Sequence, residues 1–238
     1  MNDMSGQRPS QNEGATVFQF TTTDDVRLSY YVDDFTDPWK ETQPLLLLHP
    51  AMAHAGRLYA WVPTLARHYR VIRLDLRGHG ASGVPPPRSE LSMDRLVKDV
   101  AELLDHVGCN SVHIAGSSAG GYIAQHLAMA QPQRVKSLAL FAAGTGLRHT
   151  QATGWLSKVE KEGLRPFLAR TISDRFPANA DPKFVEWFLD EAEERCVVYC
   201  ALCWPHDDVG MVRQASSDTV SHVSCVPRGG DDRIAGRL

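Results

Sequence analysis

The feature that most constrains the fold of this chain is the glycine-rich pentapeptide Gly116-Ser117-Ser118-Ala119-Gly120. Before it, residues 111–116 have the apolar pattern of a short buried strand, and after it residues 122–130 carry apolar side chains at helical spacing. A chain that turns from a strand into a helix within about two residues holds the middle residue in a strained conformation. We therefore expect Ser118 at the apex of a tight turn.

Two interpretations of Ser118 are open. In the first, it is a nucleophile, because the free N–H groups and the dipole of the following helix favour negative charge beside its hydroxyl. Gly116 and Gly120 then remove side chains that would collide in the turn, and Gly121 lets the helix approach the strand. In the second, Ser118 only caps the helix. The strand before the pentapeptide and the helix after it favour the nucleophile.

The rest of the chain alternates predicted strands with predicted helices and has no repeats. The predicted strands cover residues 17–21, 27–32, 44–49, 71–76, 111–116 and 134–142, and the predicted helices cover residues 57–68, 92–107 and 122–130. The first two strands form a hairpin, and the order of the others predicts an α/β fold with a doubly wound, mostly parallel sheet. Ligands bind at the C-terminal ends of such strands, where His49, Asp75 and Ser118 lie.

The pattern divides the chain into four segments: a polar, disordered lead-in (residues 1–15), the sheet domain (16–143), a helical cap (144–221) and a return to the sheet domain (222–238). Within the cap, helices are predicted near residues 155–162, 165–176, 183–202 and 208–216. Residues 222–227 are a poor strand candidate because they end in proline.

Charge and composition exclude several classes of function. A net charge of −3 with scattered basic residues gives no footprint for nucleic acid or an anionic membrane, and no apolar run approaches the length of a membrane span. Five cysteines without framework spacing predict reduced thiols and a cytoplasmic protein. The last tripeptide, Gly236-Arg237-Leu238, only loosely matches the S-K-L peroxisomal signal. The oligomeric state is left open.

Two motifs suggest cofactors, and both are rejected. Gly78, Gly80 and Gly83 match the dinucleotide fingerprint, but the prolines from residue 85 to residue 87 forbid the helix that it requires. The cysteines at residues 196, 200 and 203 have a spacing used for iron–sulfur clusters. Because they lie in an apolar, helix-spaced stretch, core packing is favoured. We expect neither a cofactor nor a metal ion.

The predicted cap is rich in aromatic side chains. They are Trp155, Phe167, Trp187, Phe188 and Trp204. They can line an apolar substrate pocket or pack between the cap helices, and the sequence leaves both open. His49 ends the predicted third strand, and we expect it to be a structural, hydrogen-bonding histidine rather than a proton carrier.

The segments PLLLLHPA, VIRLDLRGHGASG, VHIAGSSAGG and GGDDRIAG together resemble the α/β-hydrolase family. Within it the chain is similar to the small bromoperoxidase, esterase and 3-oxoadipate enol-lactonase branch. The resemblance covers residues 17–143 well, the cap loosely and the C-terminus in part. It implies a hydrolase that cleaves a small, apolar carboxylic ester or lactone through an acyl-enzyme, in a biosynthetic or degradative pathway and without a cofactor.

The resemblance also assigns roles to residues. It makes Ser118 the nucleophile and the N–H groups of Ala119 and Ala51 the oxyanion donors. Pro50 stands where the family usually has glycine; proline has no N–H group, but the donor at the next residue is retained. The acid of the triad matches Asp232.

Asp231 is the near alternative to that acid. The family places its histidine on a loop after one further strand, whereas residues 233–238 contain no histidine and are too few for that strand. We therefore expect the last strand and helix of the fold to be missing. His206 and His222 are then the candidates for the general base.

A serine hydroxyl without such a base is a poor nucleophile. The alternative function is therefore a catalytically impaired or non-catalytic α/β-hydrolase-like scaffold. Perhydrolysis of the haloperoxidase type uses the same triad, so it depends on the same base.

Overall fold

The structure is a computed structural model, and it describes residues 16–86, 91–144, 155–195 and 223–226. Its strands are β1 (Val17–Thr21), β2 (Arg27–Asp33), β3 (Gln43–Leu48), β4 (Tyr69–Leu74), β5 (Val112–Ser117), β6 (Val135–Phe141) and β7 (Val223–Val226). Its α-helices are α1 (Val62–Leu65), α2 (Met93–His106), α3 (Ala119–Ala130), α4 (Trp155–Glu162), α5 (Leu164–Arg170) and α6 (Pro182–Arg195). Short 3₁₀ helices cover Ala55–Leu58, Pro132–Arg134 and Ile172–Asp174.

The seven described strands form one sheet in the order β1-β2-β4-β3-β5-β6-β7. Strand β2 is antiparallel to both β1 and β4, and every other pair is parallel. The predicted hairpin is confirmed: Asp25 takes a left-handed conformation with φ of 60° in the turn, and Thr22 N–H donates to Val26 O over 3.0 Å. The prediction of a doubly wound, mostly parallel sheet is also confirmed.

Strand β3 lies in the middle of this sheet, and its leucines are buried on both faces. Leu46 and Leu48 point into the large core that α2 and α3 cover, whereas Leu45 and Leu47 point into the smaller core on the opposite face, beside α1. Successive side chains of a strand point to opposite faces, so an unbroken apolar run is what a strand covered on both sides requires.

One predicted helix is wrong. Residues 57–68 do not form a continuous helix: a 3₁₀ turn at Ala55–Leu58 is followed by a separate short helix, α1. Pro63 lies in the first turn of α1. Proline has no N–H group and is accommodated only at the start of a helix, so it begins a new helix here instead of continuing the previous one.

Helices α4 to α6 lie between β6 and β7 in the chain, and we refer to them as the cap. Helix α4 matches its prediction, but the helix predicted over residues 165–176 ends at Arg170. The Thr171 hydroxyl donates to Phe167 O over 2.8 Å, and such side-chain bonds compete with helix continuation. Helix α6 covers the described part of the helix predicted over residues 183–202, and the helix predicted over residues 208–216 lies outside the described residues.

The poor strand candidate at residues 222–227 contains a strand. Strand β7 pairs in parallel with β6, with Leu138 opposite Val223 and Phe141 opposite Val226. The chain therefore returns to the sheet after helices α4 to α6. Among the described residues, no helix has both the length and the apolar character that crossing a bilayer needs.

A buried ionic network joins the β1–β2 turn, the loop after β4 and helix α2. The Arg77 side chain is only 2% exposed and forms two hydrogen bonds of 2.6 Å with the Asp99 carboxylate. It also donates to both carboxylate oxygens of Asp24, and these bonds hold the pKa of Asp24 well below its ordinary value. The network fixes the start of the segment that contains Gly78, Gly80 and Gly83.

We expect Arg77→Met to lower the free energy of unfolding by about 3 kcal/mol, because it leaves the Asp99 carboxylate buried without its main partner. The measurement is urea unfolding at pH 7. Arg165→Met is the control, because Arg165 pairs with the exposed carboxylates of Glu186 and Asp190 and should change stability by less than about 1 kcal/mol. Equal losses in the two variants would contradict the structural role of the network.

Candidate active site

Ser118 lies between the last residue of β5 and the first residue of α3, with φ of 47° and ψ of −112°. A positive φ is rare for a residue with a side chain, so the neighbouring structure has to hold it. The Ser118 N–H donates to Phe141 O over 2.8 Å, and Ser118 O accepts from Gly121 N–H (2.9 Å) and Tyr122 N–H (3.1 Å). The strained turn expected from the pentapeptide is therefore present and is anchored to both β6 and α3.

The hydroxyl of Ser118 does not cap α3. Ser118 occupies the N-cap position, but its side chain makes no capping hydrogen bond, and it is half-buried. By contrast, Ser92 at the start of α2 accepts a hydrogen bond from Arg95 N–H over 3.1 Å. The interpretation of Ser118 as only a helix cap is wrong.

The glycines of the pentapeptide permit contact between backbones. A Cβ atom on Gly116 would lie 2.5 Å from Gly120 O, and one on Gly120 would lie 2.4 Å from Leu48 O. Both distances are far shorter than van der Waals contact, so the start of α3 approaches β5 and β3 as closely as only glycine allows. A Cβ atom on Gly121 would lie 2.5 Å from the Cβ of Ala143, just after β6.

The loop after β3, residues 49–59, leaves the sheet beside this turn; we call it the β3 loop. In the parallel pair of β3 with β5, Leu48 is opposite Gly116. Ala51 lies three residues beyond Leu48, and Ser118 lies two residues beyond Gly116, so both follow the carboxyl edge of adjacent strands. Ala51 is half-buried, and Met52 after it has a left-handed backbone with φ of 58°.

His49 has a structural role, as expected. Its ring is fully buried, Nε2 accepts from Leu76 N–H over 3.0 Å, and Nδ1 lies 2.8 Å from Pro50 O. Since Nε2 accepts, the ring proton is on Nδ1 and is donated to the Pro50 carbonyl. Burial holds the pKa of His49 well below its ordinary value. A neutral ring with both nitrogens engaged cannot take a proton from Ser118.

Asp75 binds two loops together at the same edge of the sheet. Its carboxylate accepts from Ala55 N–H over 2.7 Å and from Ala81 N–H over 2.9 Å. Gly80, with φ of 56°, approaches so closely that an added Cβ would lie 2.3 Å from the Asp75 carboxyl. Burial raises the pKa of Asp75. Its contacts identify Asp75 as a structural carboxylate.

The segment from Gly78 to Gly83 forms turns, and among residues 78–86 no helix begins. The helix that the dinucleotide fingerprint requires therefore does not begin within these residues. His79 in this segment is buried, with Nδ1 3.0 Å from Arg77 O, and its Nε2 has no hydrogen-bond partner among the described residues. Burial lowers the pKa of His79 to about 4. His79 is therefore neutral in the folded protein near neutral pH.

A protein-family model described as alpha/beta hydrolase fold matches residues 44–184, which is more than half of the chain. The chain belongs to the α/β hydrolase fold family.

Individual relatives agree with this assignment. The chain is 36% identical over 137 residues to a dihydrolipoyllysine-residue acetyltransferase component of the acetoin cleaving system from Pseudomonas putida, a match that covers 55% of this chain and 36% of that protein. It is 31% identical over 187 residues to 3-oxoadipate enol-lactonase 2 from Acinetobacter baylyi, covering 75% of this chain and 63% of that protein. The chain thus spans less than two thirds of the length of these curated relatives.

A solved structure of a hydrolase from Pseudomonas aeruginosa is similar as well. It is 30% identical and superimposes with a TM-score of 0.68 over 79% of this chain and 70% of the hydrolase. The match at this coverage supports the same family assignment and the same sheet architecture.

In this member of the α/β hydrolase fold family, three of the predicted site residues follow the carboxyl ends of the adjacent strands β5 and β3: Ser118, Ala119 and Ala51. Several other predicted residues lie outside the described ones. They are Asp232, Asp231, His206, His222, Cys196, Cys200, Cys203 and Trp204. Within the described ranges, no group of histidine, cysteine and acidic side chains could hold a metal ion.

The described cap aromatics pack against each other. Trp155 lies 5.9 Å from Phe167, and Phe167 belongs to the buried cap core together with Met52 of the β3 loop. Phe188 lies 4.9 Å from Phe176, ring centroid to ring centroid. Of the two alternatives that the sequence left open, packing between cap elements is the one observed for these rings.

Sequence reasoning missed the contacts between the β3 loop and the cap. His54 Nε2 lies 2.6 Å from Glu191 Oε2, and the Arg57 guanidinium lies 4.0 Å from the ring centroid of Phe188. Arg57 also donates to Phe188 O. These partners are more than 130 residues apart and belong to no motif, so a single sequence gives no signal for their contact.

The first prediction from this site concerns the glycine contacts. We expect Gly120→Ala to lower the free energy of unfolding by about 1–3 kcal/mol, because the added methyl group meets the backbone of Leu48. Gly144→Ala is the matched control, since a Cβ there meets nothing within 4 Å, and it should be close to neutral. Thermal and urea unfolding measure both. Equal stability of the two variants would show that α3 does not lie this close to β3.

The second prediction concerns pH. Because the pKa of His79 falls from an ordinary 6.5 to about 4 on folding, the unfolded chain binds the additional proton, and stability decreases as the pH falls through this interval. From pH 7 to pH 5 this amounts to about 2 kcal/mol. His79→Asn keeps a donor for Arg77 O but does not titrate, so urea unfolding of this variant should depend less on pH. Parallel pH profiles for wild type and variant would contradict the assignment.

Proposed function

We propose that this chain is a serine hydrolase that cleaves a small, apolar carboxylic ester or lactone through an acyl-enzyme on Ser118. The observation that carries the proposal is the strained, half-buried Ser118, whose hydroxyl makes no capping bond to helix α3. A backbone held at positive φ persists only where the surrounding structure enforces it, and such residues concentrate at functional sites. Membership in the α/β hydrolase fold family supports the same reading.

In the proposed reaction, Ser118 Oγ attacks the carbonyl carbon while its proton passes to a general base. The carbonyl oxygen becomes an oxyanion that accepts hydrogen bonds from the N–H groups of Ala119 and Ala51. Ala119 is the first residue of α3, where N–H groups have no partner within the helix and the dipole favours negative charge. The alkoxy group leaves with a proton, and water then releases the acid from Ser118.

The general base is proposed from the sequence. Among the described histidines near the carboxyl edge, both ring nitrogens of His49 form hydrogen bonds, His54 accepts from Gly56 N–H and faces Glu191 over 2.6 Å, and His79 is buried with its pKa lowered to about 4. His206 and His222 are the candidates that the sequence supplies, and Asp232, with Asp231 as the alternative, is the proposed acid.

The names of two relatives agree with acyl chemistry. One is an enol-lactonase and the other an acetyltransferase component, and an acyl group moves in each of these reactions. We propose that water is the acyl acceptor here.

A fluorophosphonate probe tests the proposal, because it phosphonylates a serine only when the hydroxyl is activated. We expect the wild-type protein to gain the mass of one probe adduct and Ser118→Ala to gain none, with hydrolysis of p-nitrophenyl butyrate falling toward a limit about a millionfold lower. Ser117→Ala is the matched control, since it removes the neighbouring hydroxyl and should keep both labelling and hydrolysis.

Two outcomes would contradict the proposal. Labelling that persists in Ser118→Ala would assign the reactive hydroxyl elsewhere. A folded wild-type protein that neither labels nor hydrolyses esters or lactones would support the alternative of a non-catalytic scaffold.

A further inference from the structure

Residues His54 and Glu191 form a buried contact between the β3 loop and cap helix α6. The two residues are 2% and 9% exposed, and His54 Nε2 lies 2.6 Å from Glu191 Oε2. The contact is a close polar pair rather than a well-aligned hydrogen bond. It joins two segments that are separated by 137 residues, because position 54 belongs to the loop after β3 and position 191 to the cap.

The protonation of His54 follows from its second nitrogen. Nδ1 accepts from Gly56 N–H over 3.1 Å, so the ring proton is on Nε2 and faces the Glu191 carboxylate. Removing one partner of a buried polar pair costs more than the pair itself contributes, because the remaining group has lost its water as well. The cap therefore has an energetic preference for one position of this loop.

The rest of the β3 loop makes further contacts with the cap. Met52 packs in the cap core, Arg57 lies over Phe188 and donates to its carbonyl oxygen, and Tyr59 lies 5.7 Å from Trp187 in an edge-to-face arrangement. Along the loop, Met52, His54, Arg57 and Tyr59 thus all meet cap residues.

Strand β4 and the residue after it also bind the β3 loop. Ala55 N–H donates to Asp75 over 2.7 Å, and Ala55 O accepts from Arg73 Nη1 over 3.2 Å. Between His49, which is fixed by Leu76, and Ala55 lies the short stretch that contains Ala51 and the left-handed Met52. A strained backbone of this kind requires support from both ends to keep one conformation.

We propose that Glu191 is a positioning residue, which acts through His54 to hold the β3 loop in the conformation that presents the Ala51 N–H group. The cap then completes the oxyanion hole in addition to covering it. This inference rests on the proposed function for its catalytic consequence, whereas the ordering of the loop by the cap can be tested independently of activity.

The experiment compares hydrogen exchange of residues 51–56 with ester kinetics in full-length variants. For Glu191→Leu, we expect these amides to exchange at least about tenfold faster. We also expect kcat to fall about 10- to 100-fold while KM changes less than about threefold, because a displaced oxyanion donor affects the transition state more than binding. Glu186→Leu is the control on the same helix: Glu186 is exposed and pairs with Arg165, so loop exchange and kinetics should not change.

Substitution of the other partner isolates the contact. His54→Leu removes every side-chain donor and acceptor at this position, whereas in His54→Gln the side-chain amide can still donate toward Glu191. We expect His54→Gln to keep the slower exchange and the higher kcat, and His54→Leu to resemble Glu191→Leu. The double variant His54→Leu/Glu191→Leu should be no worse than either single variant, since the two residues act through each other.

The two proposals fail in different ways. If the wild type shows no esterase activity but the leucine variants accelerate exchange at residues 51–56, the proposed function fails and the positioning role stands. If loop exchange in Glu191→Leu and His54→Leu equals that of the wild type, the positioning role is overturned, whatever happens to kcat. Should Glu191→Leu not fold, the comparison of His54→Gln with His54→Leu decides alone.

Discussion

The contact of backbone with backbone at the start of α3 is the constraint on which the rest of the site depends. Gly116 and Gly120 bring the helix against β5 and β3 at distances that no Cβ atom could tolerate. Ser118 then has no room for an ordinary helical or extended conformation, and its positive φ costs about 1 kcal/mol or more. The hydrogen bonds of Ser118 to Phe141, Gly121 and Tyr122 offset this cost. The strained conformation at the apex of the turn is thus a consequence of the close packing of α3 against β5 and β3.

The loops at the carboxyl edge of the sheet are fixed in a different way. They have little regular secondary structure, and buried polar side chains provide the hydrogen bonds instead: His49 binds Leu76, Asp75 binds Ala55 and Ala81, and Ser82 Oγ donates to Asp75 O. These buried hydrogen bonds hold the backbone amides of two loops in place, although the loops have little regular secondary structure.

Much of this could be predicted from the sequence, because it is local. The run Leu45 to Leu48 required a strand covered on both faces, and the glycines around Ser118 required a tight turn between a strand and a helix. The prediction of one helix across Pro63 was wrong, because the apolar spacing continues on both sides of the proline and does not register that its N–H group is missing. Contacts such as His54 with Glu191 could not be predicted, because their partners lie far apart in the chain and neither residue belongs to a periodic pattern.

The β3 loop is held by contacts with the sheet and by contacts with the cap, and the two kinds of contact respond differently to substitutions. The sheet side of the β3 loop depends on Asp75 and Arg73, whose contacts are with the loop backbone at Ala55. The cap side depends on side chains that meet side chains, as with Met52 in the cap core and Arg57 on Phe188. A backbone contact tolerates changes of the loop residue, whereas a contact between side chains requires both partners to fit. Under the proposed positioning role, substitutions in the cap that alter the volume around Met52 therefore also act on the Ala51 peptide. The shape of the proposed binding site and the geometry of its proposed hydrogen-bond donors then cannot be changed independently.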